Sequence, residues 1–347
     1  MRSLRSSSLV VSLALVAAAS ACKKEGDGAA GGGGAAGATG SDLNVVPADS
    51  DFVMGVDLSK VRDSALFKEY GTKMLEQATK DISEFKAQCG FDPVETIKTV
   101  SMGIKMLPGD KGRGSIVFHS TAPRDKLKAC LEKSKPDAEA KGTKIVIEGD
   151  IAYLTPKDEK TYVALTYLGS DGVVALINDR AWTKDTVSQA IAGKGSVKDS
   201  KPFMDAYKAI KQGQTMWFYV NGAAEFAQQA KGAGLDANAF IGSVNVTDAV
   251  SAEFRARLKS ADAATAAAKM VESQLGQVKM MVPNVSAKAE GNDLKLNVDM
   301  SNKEIKSLMS MFGGMLGGLG GGGGGAMPEP APAPEAPTEA PAPAPAQ

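Results

Sequence analysis

The chain has 347 residues, of which 43% are apolar, and its 40 lysines and arginines are balanced by 40 aspartates and glutamates. This length supports one large domain or two domains of ordinary size. The balanced charge argues against a nucleic-acid partner. The single histidine, His119, excludes mechanisms and metal sites that require two imidazoles.

The first 21 residues are organised like a secretory signal peptide. Basic residues without any acidic residue precede an apolar run from Leu9 to Ala19, and small residues at 19–21 stand directly before Cys22. The run is shorter than the about 20 residues that a permanent membrane-spanning helix takes. We therefore expect residues 1–21 to be removed.

The residues around Cys22 resemble the lipobox of bacterial lipoproteins, with Ala19 at the position that leucine usually occupies. The resemblance implies a diacylglyceryl group on the Cys22 thiol and a further acyl chain, such as palmitate, on its amine. Two or three chains anchor a protein stably to a membrane. Lys23, rather than aspartate, follows Cys22, which in such lipoproteins implies the outer membrane. The alternative is an ordinary signal-peptidase site followed by an unmodified cysteine.

Two low-complexity segments flank the globular part of the chain. Residues 22–42 are rich in glycine and alanine, and we expect a flexible tether there because they cannot bury apolar area. Residues 313–347 begin with glycine runs and continue as a Pro/Ala/Glu segment, which favours extended polyproline II. This tail is similar to the Pro/Ala spacers of other envelope proteins. It is either a spacer or docking strand, or a solvated tail without a partner.

Between these segments, apolar residues recur every second residue in some stretches, as in strands, and every three or four residues in others, as in helices. This pattern predicts an α+β fold. We expect two related units, residues 43–195 and 196–312, each an antiparallel sheet with packed helices. Strands are predicted at 52–58, 100–107, 115–118, 215–220, 250–259, 285–290 and 294–300, the last two joined by a turn at Gly291-Asn292. The segments 143–155 and 162–178 are each predicted as strands broken by a turn, at 148–150 and at 169–172. Helices are predicted from Ser59 to Gly90, from Pro123 through Leu131, and at 223–231, 261–280 and 302–312, with Ser260 and Asn302 as the caps of the last two. Whether the two units share one sheet stays open.

Two stretches resemble a class of uncharacterised bacterial envelope proteins. They are VPADSDFVMGVDLSKV at 46–61 and VKDSKPFMDAYKAIKQGQTMWFYVNGAAEF at 197–226. In this class a helix, a short loop, an aromatic strand and a second helix mark the second half. The resemblance implies architecture and location, and it brings no catalytic signature.

Cys89 and Cys130 are the two cysteines that remain if Cys22 carries lipid. An exported protein meets an oxidising compartment, in which such a pair can form a disulfide. A bridge requires Cα atoms about 4.4 to 6.8 Å apart, which the sequence does not reveal. The alternative is a pair of buried, reduced thiols.

Other candidate sites favour structural roles. The glycine-rich segments 108–114 and 193–196 lack the order of a phosphate-binding loop. Asp92, followed by Pro93, is typical of a helix start, although with Glu95 it also offers a pair of carboxylates. His119 has no nucleophile at a recognisable spacing. We therefore predict no cofactor, metal or nucleotide site.

Trp217, Phe218 and Tyr219 are consecutive aromatic residues in a predicted strand. Neighbouring side chains of a strand point to opposite faces. Either at least one ring lines a ligand groove, or the strand is packed on both sides in the core.

The sequence thus predicts a non-enzymatic lipoprotein of the cell envelope that binds or scaffolds an unknown component. Its expected partners are the membrane, through Cys22, and an envelope protein or cell-wall component. The alternative is a carrier or assembly chaperone for hydrophobic cargo. An envelope hydrolase is a third hypothesis, which requires a nucleophile and a base within reach of each other.

Overall fold

The computed structural model describes residues 42–71, 79–109, 111–232, 234–280 and 282–308. The predicted signal peptide, Cys22, the tether before Asp42 and the tail at 313–347 lie outside these residues. So does the methionine-rich stretch at 309–316. In the described part of the chain, no helix combines the length and the apolar character needed to span a membrane.

Within the described residues, twelve strands form one antiparallel sheet with the order β11-β12-β10-β9-β8-β1-β2-β3-β7-β6-β5-β4. The strands are β1 (Phe52–Asp57), β2 (Ile97–Leu107), β3 (Lys111–Ser120), β4 (Thr143–Glu148), β5 (Ile151–Pro156), β6 (Tyr162–Leu168), β7 (Gly172–Asn178), β8 (Met216–Asn221), β9 (Ala237–Val246), β10 (Val250–Leu258), β11 (Asn284–Glu290) and β12 (Asp293–Met300). Because β1 pairs with β8, strands from both predicted units belong to the same sheet.

Helices connect these strands and pack on both faces of the sheet. They are α1 (Asp42–Val45), α2 (Leu58–Asp63), α3 (Thr79–Cys89), α4 (Pro93–Thr96), α5 (Arg124–Ala140), α6 (Lys184–Ile191), α7 (Lys201–Tyr207), α8 (Gln228–Gly232) and α9 (Ala261–Lys279). Residues 302–308 are also helical. Short 3-10 helices span Val197–Asp199 and Glu225–Ala227, and Phe67–Gly71 forms a π-helical turn.

The mixed α+β class is confirmed, and three details of the sequence prediction are corrected. The helix predicted from Ser59 is interrupted at Ser64, whose extended backbone ends α2, and helical backbone resumes at Ala65. Strand β9 was not predicted, because its sequence alternates weakly between apolar and polar residues. The helix at 302–308 begins after Ser301 rather than at a cap on Asn302, since the Ser301 hydroxyl accepts from the Glu304 amide.

Two sheet faces follow from the alternation along β8. We call the face that carries Trp217 and Tyr219 the Trp217 face, and the other the Phe218 face. On the Trp217 face, α1 and α7 cover the central strands. The buried core there consists of Leu43, Val46, Val53, Val197, Phe203, Ala206, Ile210, Trp217, Tyr219, Ala239 and Ile241.

Gly55 allows the indole of Trp217 to lie directly against the neighbouring strand. Gly55 pairs with Trp217 across β1 and β8. A Cβ atom at position 55 would overlap the indole ring. A side chain on β1 at this point would therefore displace the largest fully buried residue of the core.

Candidate functional site

The Phe218 face carries an uninterrupted row of apolar residues that crosses all twelve strands. Directly opposed residues on antiparallel strands share a face, so the pairings place the whole row on one side of the sheet. From β4 to β11 the row is Ile147, Ala152, Leu165, Ala175, Ile116, Met102, Met54, Phe218, Gly242, Phe254, Leu296 and Ala287. None of these side chains offers a hydrogen-bonding group.

The neighbouring rows on this face are apolar as well. On one side, from β2 to β12, lie Ile104, Phe52, Val220, Phe240, Ala256 and Leu294. On the other side lie Val100, Val56, Met216, Val244, Ala252 and Val298. On this face, three neighbouring rows of the central strands therefore consist of apolar residues only.

The two long helices pack over the outer parts of this face. Ala138 and Leu131 of α5 pack with residues of β2 to β7, such as Ile116. Ala264 and Leu275 of α9 pack with residues of β10 to β12. The middle of the face, on β1, β8 and β10, lies between these two clusters.

We call this middle region the central apolar surface and define it by Phe52, Met54, Met216, Phe218, Val220 and Phe254. All six side chains are half-buried. The rings of Phe218 and Phe254 meet with their centroids 6.0 Å apart. They lie over Gly242, where a Cβ atom would overlap the Phe218 ring. The sequence gives β9 no side chain at this point, which leaves room for the two rings.

A second cluster joins the only histidine to three polar residues on the Trp217 face. The Nε2 atom of His119 lies 2.8 Å from Oδ1 of Asp42, and its Nδ1 atom lies 3.2 Å from Oδ1 of Asp171. The Ser101 hydroxyl donates to Oδ2 of Asp42 at 2.8 Å. The hydrogen bond with Asp42 raises the pKa of His119 above its ordinary value.

This cluster does not have the geometry of a serine nucleophile and its base. In a catalytic triad the serine hydroxyl donates to the imidazole and the carboxylate orients the other ring nitrogen. Here the Ser101 proton is directed to the carboxylate that holds His119. The arrangement favours the structural role that the sequence predicts for His119.

The aromatic residues that the sequence singled out divide between the two faces. Trp217 and Tyr219 are 1% and 5% exposed in the core of the Trp217 face. Phe218 lies on the opposite face, in the central apolar surface. Alternation along β8 therefore separates a pair of core residues from one half-buried residue on the opposite face.

Cys89 and Cys130 lie at disulfide distance, with their Cα atoms 4.4 Å apart and their sulfur atoms within bonding distance. Cys89 is the last residue of α3, and Cys130 lies within α5. Both are buried. The pair therefore joins α3 to the helix that covers one end of the Phe218 face.

The remaining candidates have local structural roles. Oδ1 of Asp92 accepts from the Val94 amide at 2.9 Å and caps α4. Gly109 has a positive φ in the turn between β2 and β3. The Gly195 carbonyl accepts from the Ala48 amide at 2.8 Å. Within the described ranges, no group of His, Cys, Asp and Glu is placed to hold a metal ion.

Two features of these sites were beyond sequence reasoning. Asp42 was placed at the edge of the predicted tether, and it contacts His119 across 77 positions of the chain. The central apolar surface depends on the pairing of β1 with β8, for which the sequence carries no local signal. Comparisons with protein-family models, with curated proteins and with solved structures find no match to this chain.

Proposed function

We propose that this protein is a non-enzymatic binding protein of the bacterial cell envelope, anchored through lipid on Cys22, whose central apolar surface binds a hydrocarbon chain. The observation that carries the proposal is the central apolar surface, the part of the three apolar rows that lies between α5 and α9. The apolar composition of this surface favours a carrier for hydrophobic cargo over a scaffold that recognises a polar partner. The six side chains of this surface are half-buried, so part of their apolar area stays open to a hydrocarbon chain.

The composition of the central apolar surface argues for a hydrocarbon chain rather than an extended peptide. A peptide brings backbone N–H and C=O groups, which lose free energy when they are buried without partners. The six side chains of this surface offer no such partner. A hydrocarbon chain brings none of these groups, and burying it contributes about 25 cal/mol per Å² of apolar area.

We also propose that residues 43–195 and 196–312 are two related units. Each unit has a strand, a hairpin, a long helix and a set of strands whose last member returns to the hairpin. In the first unit, β7 pairs with β3 after α5. In the second, β12 pairs with β10 after α9. The first strands of the two units, β1 and β8, pair antiparallel, as expected for a pseudo-twofold arrangement.

The proposed location rests on the sequence around Cys22. A hydrocarbon-binding site suits an anchored outer-membrane protein, because lipids and lipid-linked components are abundant there. The proposed partners are therefore the membrane and a lipid-bearing envelope component. No nucleotide, nucleic acid or cofactor enters the proposal.

Intact-mass spectrometry of the protein from native membranes tests the anchor. We expect a chain that starts at Cys22 and carries added acyl mass, with no alkylation of Cys89 or Cys130 before reduction. A chain that retains residues 1–21, or one that starts at Cys22 without acyl mass, would contradict the proposed anchor.

Photo-crosslinking with a diazirine-bearing fatty acid tests the site itself. The protein is irradiated with the probe, digested and mapped by mass spectrometry. We expect labels in Phe52–Asp57, Met216–Asn221 and Val250–Leu258. Labels that instead follow exposure, at Met106, Phe226 and Met280, would show unspecific adhesion, because these are among the most exposed apolar side chains.

A further inference from the structure

The imidazole of His119 lies between two carboxylates that come from different parts of the chain. Asp42 belongs to α1 and is fully buried, whereas Asp171 lies in the turn between β6 and β7 and its side chain is 55% exposed. Burial raises the pKa of the Tyr207 phenol on α7, and the charge of nearby Asp42 raises it further. Among the described residues, Asp42, Asp171 and Tyr207 are titratable groups that lie at this cluster.

Each ring nitrogen of His119 faces a carboxylate oxygen, and this arrangement favours the protonated imidazolium over the neutral imidazole. A neutral imidazole has one N–H and one acceptor nitrogen, whereas the imidazolium has two N–H donors. Only the imidazolium can donate to Asp42 at 2.8 Å and to Asp171 at 3.2 Å together. Loss of the proton leaves one nitrogen lone pair facing a carboxylate.

Asp42 begins the short segment that leads into the sheet. This segment is held by two backbone hydrogen bonds of 2.8 Å, from the Val197 amide to the Val46 carbonyl and from the Ala48 amide to the Gly195 carbonyl. Leu43 and Val45 are also buried. The segment therefore docks as a unit, with Asp42 at its start.

We propose that protonated His119 is a latch that holds residues 42–48 on the sheet, and that loss of the proton loosens this segment. We call the contact of His119 with Asp42 and Asp171 the His119 latch. The proposal is independent of the ligand site on the opposite face, and its effect on reach rests on the anchor proposed at Cys22. Loosening would add these residues to the segment that the sequence predicts as the tether, and would lengthen the reach of the domain from its anchor.

The direction of the pH dependence follows from the raised pKa of His119. A histidine whose pKa in the folded state exceeds that in the unfolded state stabilises the fold below the unfolded value. The ordinary value is 6.5. The contribution of the latch is therefore complete below about pH 6.5. It is lost as the pH rises through the raised pKa of His119.

Hydrogen exchange at the Ala48 and Val197 amides measures the opening of the segment. The Asn221 amide, which donates to the Asp51 carbonyl at 2.8 Å, serves as the reference because it lies in the sheet. We expect the protection of Ala48 and Val197, relative to Asn221, to fall about tenfold as His119 loses its proton, the typical effect of one charge-assisted hydrogen bond. The titration of His119 is followed by NMR in the same samples.

Two variants separate the latch from a merely structural contact. In His119→Gln, a donor remains but does not titrate, so we expect relative protection that does not change with pH. In Ser101→Ala, one hydrogen bond to Asp42 is lost but His119 still titrates, so protection should be lower with the pH dependence preserved. Constant relative protection in the wild type across the His119 titration would overturn the proposal. So would an unchanged pH dependence in His119→Gln.

Discussion

We expect Trp217→Ala to lower the free energy of unfolding by about 4 kcal/mol, the usual cost of truncating a buried aromatic side chain. Trp217 is 1% exposed and is the largest fully buried side chain. Its ring meets that of Tyr207 with centroids 5.0 Å apart, and Gly55 lies beneath it. The core residues around it hold α7 against β8, so the resulting cavity has little freedom to collapse.

Urea unfolding followed by circular dichroism measures this loss. Trp182→Ala is the matched control, because Trp182 is half-buried and its indole N–H donates to the Tyr162 carbonyl at 3.3 Å. We expect the control to lose clearly less stability. Equal losses in the two variants would mean that Trp217 is not the centre of the core.

We expect removal of the disulfide between Cys89 and Cys130 to lower the free energy of unfolding by a similar amount. The two residues are 41 positions apart, and a closed loop of this length corresponds to about 4 kcal/mol in the chain-entropy account of disulfides. The bridge also fixes α3 against α5, so its loss should loosen the helix over the outer part of the Phe218 face.

The double variant Cys89→Ser/Cys130→Ser and the reduced wild type should show the same lowered unfolding midpoint. A reductant should leave the double variant unchanged, which separates loss of the bridge from other effects of reduction. If the reduced and oxidised wild type unfold at the same denaturant concentration, the bridge does not contribute to stability.

Local signals predicted many of the individual elements. Alternating apolar and polar residues predicted strand β10, and Gly291-Asn292 predicted the turn that joins β11 to β12. Ser260 was predicted to cap α9, and its hydroxyl accepts from the Ala263 amide at 3.2 Å. These features depend on residues within a few positions of each other, so a single sequence carries their signal.

The features that matter most for function depend on distant pairings. Met54 and Phe218 become neighbours only because β1 pairs with β8. Strand β9, with small and polar residues such as Gly242 and Ser243, was missed because neighbouring strands and the ring of Phe218 determine its place. Because these contacts join distant strands, the pattern of residues within one segment cannot predict them. The central apolar surface could therefore not be predicted from the sequence.

Binding of an alkyl-chain fluorescent probe to the wild type, Phe218→Ser and Phe226→Ser tests the central apolar surface most directly. Phe226 is the matched control, because it is 40% exposed and lies outside the three rows. Phe218→Ser removes one buried aromatic contact, worth about 1.5 to 3 kcal/mol, so we expect it to weaken binding at least tenfold. We expect Phe226→Ser to bind the probe as the wild type does. Met54→Ser should repeat the loss, and circular dichroism confirms that each variant is folded. Equal affinity in all folded variants, or no binding by the wild type, would contradict the account.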